Sequence, residues 1–194
     1  MTTATTGTAP GITTEPRSRL RARIVLAVLS ACGLAALAWA SFVRPAVHVV
    51  YNASDSVPVG WYRIESADSL SRPLPVDSIV LAWLPADVAA LAAQRGYLPS
   101  HIPLLKRVGA VAPQHVCIVE GIVLIDGVPA AAALPADRRG RPLPSWPDCR
   151  RLHPGELFLL STTNPASFDS RYFGPIAAST VIGTAQPIYL EKRP

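Results

Sequence analysis

Leu104 to Gly127 reads LLKRVGAVAPQHVCIVEGIVLIDG. Three apolar runs of strand length lie in it, at 104–111, 116–119 and 122–125, each too short for a helix of ordinary size. Asp126-Gly127 after the third is a hairpin turn signal, because both residues tolerate the positive φ that a tight turn demands. Consecutive short strands joined by turns predict a mainly β, antiparallel domain. Upstream, Val47–Tyr51 (VHVVY), Trp61–Ile64 and Asp77–Leu84 (DSIVLAWL) have the same character. Downstream, Leu157–Ser161 and Thr180–Tyr189 close the domain. Ala86–Arg95 (ADVAALAAQR) is the one short helix expected, since it follows a proline, is rich in alanine and stops at Gly96. Residues Ala130–Arg150 are rich in proline, alanine and arginine and read as an irregular excursion. Twenty prolines and twelve glycines in 194 residues argue against a helical bundle.

The N-terminal part has a different character. Ile24 to Val43, IVLAVLSACGLAALAWASFV, carries no charge. At about 1.5 Å per residue it spans roughly 30 Å, a hydrocarbon core's thickness. Arg17, Arg19, Arg21 and Arg23 precede it and Arg44-Pro45 ends it. Positive charge on that side holds the N-terminus in the cytoplasm. The expected layout is a basic cytoplasmic tail over 1–23, an anchor over 24–43 and an extracytoplasmic domain over 46–194. That makes a single-pass protein of the inner membrane, with its domain in the periplasm. Ala38-Trp39-Ala40 also has the small-x-small form of a signal-peptide cleavage site, although the run exceeds the 7–15 residues usual for a signal core. Both readings export the same domain.

The chain carries a net charge of +5. Removing those four arginines and Glu15 from the 18 basic and 13 acidic residues leaves fourteen against twelve. The basic excess is a topology signal, and nucleic acid is not an expected partner. Cys32 lies within the apolar run. Cys117 and Cys149 lie in the exported part, where disulfides persist, and are a candidate pair by compartment and count. Four scattered histidines and no Cys-x-x-Cys spacing give no expectation of a metal or cofactor.

Lys106 stands out on physical grounds. On a strand it shares a face with Leu104 and Val108, while Arg107 points the other way. Desolvation disfavours an ammonium and lowers its pKa, and a neutral amine can take the proton of a serine hydroxyl. Taken alone, the plain reading is an edge lysine whose ammonium reaches water. Ser56, in the polar turn before Val57-Pro58-Val59-Gly60, reads alone as a turn serine. Asp169 and Arg171 read alone as a surface pair worth little.

Together these segments resemble the bacterial signal peptidase family, most closely its TraF-type conjugative transfer branch. The nucleophile segment Asn-x-x-x-Ser-aliphatic-Pro-x-Gly-x-Tyr is matched by Asn52, Ser56, Val57, Pro58, Gly60 and Tyr62. The Lys-Arg-Val strand is matched by Lys106-Arg107-Val108. The late block Ser-x-Asp-Ser-Arg-Tyr-x-Gly is matched by Ser167, Asp169, Ser170, Arg171, Tyr172 and Gly174. Two departures are Val57, where methionine is common, and Ala112-Pro113-Gln114, where the family usually has a Gly-Asp turn. The resemblance runs from Asn52 to Gln186. It implies a signal-peptidase-like antiparallel β catalytic domain, with Ser56 as nucleophile and Lys106 as general base. The Ser56 N–H and Ser54 hydroxyl would form the oxyanion hole. Ser167 would hold the amine, and Asp169 with Arg171 would brace the loop, Asp169 standing either there or closer to the chemistry. The implied substrate is a pilin or secreted precursor, cut beside the lipid surface and released linear or cyclised. A general type I signal peptidase and a non-catalytic scaffold of a conjugation apparatus are the alternatives.

Overall fold

The computed structural model describes residues 16–42, 48–67 and 74–191. The chain divides into two compact units, Met1–Ala46 and Val47–Pro194. In the first, helix α1 runs Pro16–Phe42. Proline at the first helical position costs nothing, because that N–H has no intrahelical acceptor anyway. The arginines at 17–23, expected in a tail, are therefore helical; residues 1–15, Val43 and Arg44-Pro45 lie outside the described residues. Arg19–Trp39 has a mean hydropathy of 1.9, long and apolar enough to cross a membrane. Every described side chain of α1 is exposed. An apolar helix whose described side chains are all exposed suits an apolar surrounding, which a bilayer supplies.

The second unit is mainly β, as the turn-punctuated sequence implies. Its strands are β1 (His48–Asn52), β2 (Gly60–Ser66), β3 (Ile79–Ala82), β4 (Leu104–Val111), β5 (His115–Val119) and β6 (Ile122–Ile125). They continue with β7 (Val128–Ala132), β8 (Arg150–Arg151), β9 (Glu156–Leu159), β10 (Ile176–Ala177) and β11 (Val181–Leu190). Seven form one sheet in the order β1-β2-β11-β3-β4-β9-β10, and four form another in the order β7-β6-β5-β8. Every paired neighbour is antiparallel. The turn between β6 and β7 is Asp126-Gly127, with φ of 51° and 81°.

The expected helix is α2, Ala86–Gln94. A short α-helical turn, α3 at Ser170–Phe173, sits where the sequence reads as a polar segment. Four residues are too few to show a helical period, and this turn exists because Asp169 caps it, accepting from the Arg171 N–H. The excursion over 130–150 is less irregular than expected: it takes in part of β7, an isolated bridge between Ala136 and Pro142, and the start of β8. At 112–114 a tight turn joins the two sheets. Gln114 N–H donates to the Val111 carbonyl, and the Gln114 side-chain oxygen accepts from the Val111 N–H.

Three apolar clusters hold the unit together. One gathers Val80, Val108, Leu157, Leu159 and Ile176 between the central strands. A second packs Val116, Val123 and Trp146 on Phe158. The third, with Val57, Tyr62, Ile64 and Leu81, lies under the turn that carries Ser56. Each fully buried aliphatic or aromatic side chain contributes about 1.5–3 kcal/mol relative to exposure, so the turn stands on a rigid base.

Candidate active site

The β1–β2 hairpin closes at the pair Asn52–Gly60 and leaves a loop over 53–59. Asn52, largely buried, organises that loop. Its Nδ2 donates to the carbonyls of Ser54 (2.7 Å), Val57 (3.0 Å) and Pro58 (3.1 Å). Its Oδ1 accepts from the Ser54 N–H (3.1 Å) and the Ser54 hydroxyl (2.9 Å). The buried Tyr62 donates its hydroxyl to the Pro58 carbonyl at 2.6 Å. Gly60 has φ 149°, and a Cβ there would meet the Tyr189 carbonyl oxygen of β11 at 2.1 Å, so only glycine fits. Asn52, Pro58, Gly60 and Tyr62 are thus turn builders. What they present is Ser56, with its Oγ 3.1 Å from Ser54 Oγ. The sequence marks Asn52 as part of a motif without giving it a role; an Asn opening a polar turn is the signal for that role.

On β4 burial alternates: Lys106, Val108 and Ala110 are buried, and the residues between are half-buried. Lys106 is only 1% exposed. Arg107, on the opposite face, donates to the Asp77 carbonyl oxygen at 2.8 Å. Lys106 Nζ donates to Ser167 Oγ at 2.5 Å. Burial pulls its pKa down from 10.5 to about 8; nearby Asp169 opposes that pull and Arg171 reinforces it.

Asp169 and Arg171 are fully buried, not a surface pair. Arg171 Nε meets Asp169 Oδ1 at 2.7 Å, and one terminal nitrogen meets Oδ2 at 2.7 Å. Oδ2 also accepts from the Ser161 N–H. The guanidinium reaches the carbonyls of Ala132, Ser161, Asn164 and Ser167 as well. One side chain therefore ties β7 to the loop that carries Ser167. The sequence could mark these residues as a motif but could not show their burial, which depends on strands far apart in the chain.

Ser54, Ser56, Lys106 and Ser167 all line one cleft of about 980 Å³. Leu81, Leu105 and the aromatic Phe168 and Tyr172 supply its apolar surface. Asp169 and Arg171 are not in its lining. Cys117 and Cys149 are joined as a disulfide between β5 and the segment before β8. His115 stands beside it, Nδ1 3.6 Å from Cys117 Sγ. The three cluster closely enough to suggest a metal site, but sulfurs bonded to each other have no thiolate to offer a cation. Cys32 is free and exposed on α1.

A model of the family described as "Signal peptidase, peptidase S26" matches residues 21–190. "Plasmid transfer protein TraF" of Escherichia coli is 32% identical over 181 residues, 88% of this chain and 95% of that one. "Conjugal transfer protein TraF" of Agrobacterium tumefaciens (strain 15955) is 35% identical over 147 residues, 71% of this chain and 80% of that one. Among solved structures, a signal peptidase I of Enterococcus faecalis V583 is similar at 18% identity, covering 60% of this chain and 98% of that chain. Its TM-score is 0.35, too low to carry an argument about the site.

Proposed function

Because this chain belongs to the signal peptidase family, peptidase S26, we propose that it is a membrane-anchored serine endopeptidase that matures an exported precursor for conjugative transfer. The observation that carries this reading is the buried Lys106 amine, held by Ser167 in the cleft that Ser56 also lines. An amine with a pKa near 8 is neutral in a useful fraction of molecules near pH 7, as a general base must be. Donating one N–H to Ser167 fixes its direction and leaves its lone pair for another proton.

Ser56 Oγ attacks the scissile carbonyl carbon while Lys106 Nζ takes the hydroxyl proton. The oxyanion is stabilised by the Ser56 N–H and by the Ser54 hydroxyl, which turns from Asn52 toward the new charge. Losing such a donor typically costs about 100- to 1000-fold in rate. The Lys106 ammonium then protonates the leaving amine, the C–N bond breaks, and an acyl-enzyme ester remains on Ser56. Water, with Lys106 again as base, releases a linear product. An amino terminus of the substrate attacking the same ester releases a cyclic one. Excluding water from the ester favours the second route. Asp169 acts by position: its two oxygens are occupied by Arg171 and the Ser161 N–H.

The test is co-expression with a candidate pilin precursor followed by mass spectrometry. Ser56→Ala and Lys106→Ala are expected to abolish trimming while the protein stays folded and membrane-bound. Processing at the wild-type level by either variant overturns the reading. A mature product lighter by one water than the trimmed linear chain identifies cyclisation.

A further inference from the structure

The cleft is not electrically neutral. Its charged lining is Arg95, Lys106, Arg138, Arg139 and Arg141 against Asp55 and Asp137. Most of that excess sits in the turn at 136–142, far in sequence from the arginines at 17–23. The turn is built around Asp137. Its Oδ2 accepts from the Tyr97 hydroxyl (2.5 Å) and from Arg141 Nε (2.7 Å). Its Oδ1 accepts from the N–H groups of Arg139 (2.9 Å) and Arg141 (3.0 Å). Two more bonds dock the turn beside α2: an Arg95 guanidinium nitrogen to the Pro142 carbonyl (2.7 Å), and an Arg141 nitrogen to the Arg95 carbonyl (3.0 Å). The Tyr97 hydroxyl, foremost, holds the Asp137 carboxyl well below the usual carboxylate range, which keeps it an ionised acceptor for these bonds near neutral pH.

Two consequences follow from this construction. The Asp137 oxygens are taken up by Tyr97, Arg141 and the Arg139 N–H, and neither pairs with the Arg138 or Arg139 guanidinium. Arg138 and Arg139 are exposed, line the cleft and, among the described residues, form no ion pair. Guanidinium groups without a carboxylate partner, carried on a turn whose backbone is fixed by hydrogen bonds, are suited to carboxylate, which their planar forks bind through paired N–H donors.

We propose that Arg138 and Arg139 form a carboxylate-recognising wall of the substrate cleft, selecting precursors that place an acidic side chain or a free chain-terminal carboxylate near the scissile bond. This rests on reading the cleft as a peptidase site. A bilayer phosphate is the rival ligand for such a pair, but the same cavity holds Ser56 and Lys106, which favours a peptide.

The experiment measures binding separately from cleavage. Full-length Ser56→Ala protein in detergent micelles is titrated against fluorescent peptides with an Ala-x-Ala site. Glu or Gln is scanned along each side of that site with the C-terminus amidated. A neutral member is also made with a free C-terminal acid, so side-chain and terminal carboxylates are told apart. At least one acidic form is expected to bind about fivefold more tightly than its neutral counterpart. The gap should close between about 0.1 M and about 1 M salt, as screening shortens from about 10 Å to about 3 Å. It should vanish in the R138Q/R139Q double variant. No gap in any pair, or a gap that survives R138Q/R139Q, overturns the proposal. So does a double variant that loses affinity only for phosphatidylglycerol vesicles, which assigns the wall to lipid. Cleavage of the same peptides by the unsubstituted chain is scored independently: no cleavage alongside an Arg-dependent gap defeats the peptidase reading and leaves the wall standing.

Discussion

Lys106 is charged in the unfolded chain and stripped of water by folding, and the conflict sets both its chemistry and its cost. Its pKa falls from 10.5 to about 8. Between those values the unfolded state binds more protons than the native state, so stability rises with pH across that window. Below about pH 8 the fold bears the whole penalty, on the order of 3 kcal/mol at about 1.4 kcal/mol per pH unit. Lys106→Met, of similar volume and never charged, is expected to raise stability near pH 7 by about 1–3 kcal/mol, less what Ser167 loses as its partner. The gain should shrink as pH climbs from 8 toward 10.5, and urea titrations at the two ends check it. Turnover should behave oppositely to the cost. It should rise about tenfold per pH unit below 8 and level off above, because only the neutral amine accepts a proton. A rate that is flat across that range contradicts a lysine base.

Single elements place these residues through their periods. On β4 the two-residue alternation sends Lys106 inward with Val108 and Ala110. In the β1–β2 loop, Asn52 and Tyr62 gather three backbone carbonyls and so fix the bend that lifts Ser56. The α3 turn is held differently, by an ion pair that no water reaches. Removing one member of such a buried pair typically costs about 3–5 kcal/mol. Asp169→Asn is therefore expected to destabilise the protein by about that amount, read by chemical denaturation. It also removes a negative charge that favours the Lys106 ammonium while leaving Arg171, which disfavours it. The rate profile of Asp169→Asn should thus shift to lower pH. A variant that loses stability with its profile unmoved shows that Asp169 braces the loop without influencing the base.

At the scale of the whole molecule, an apolar helix and a β unit occupy separate parts of one chain. Retention of the helix as an anchor predicts that the full-length protein stays with membranes after alkaline carbonate extraction, with its original N-terminus. A mature chain that begins at Ser41 and washes free assigns residues 1–40 to a cleaved signal instead.

Much of this architecture was legible in the residues, and most of what was not depends on contacts made in space. Alternation and turn chemistry are local, so β4, the hairpin at Asp126-Gly127, α2 and the apolar stretch of α1 could be read directly. Strand parity put Lys106 on one face with Leu104 and Val108, and the structure made that face the buried one at Lys106 and Val108. Three features were not legible: the burial of Asp169 with Arg171, the carbonyl-gathering role of Asn52, and the arginine turn facing the cleft. The first and third depend on groups that come together only when distant strands pair, as when Arg171 reaches Ala132 across 39 residues; the partners of Asn52 lie within six residues, and which carbonyls it meets is fixed by the closed loop. Sequence alone determined where the longer strands lie and which residues could do acid–base chemistry. Tertiary structure decided which of them lose water and share a cavity, because desolvation and electric field depend on neighbours in space and not on neighbours along the chain.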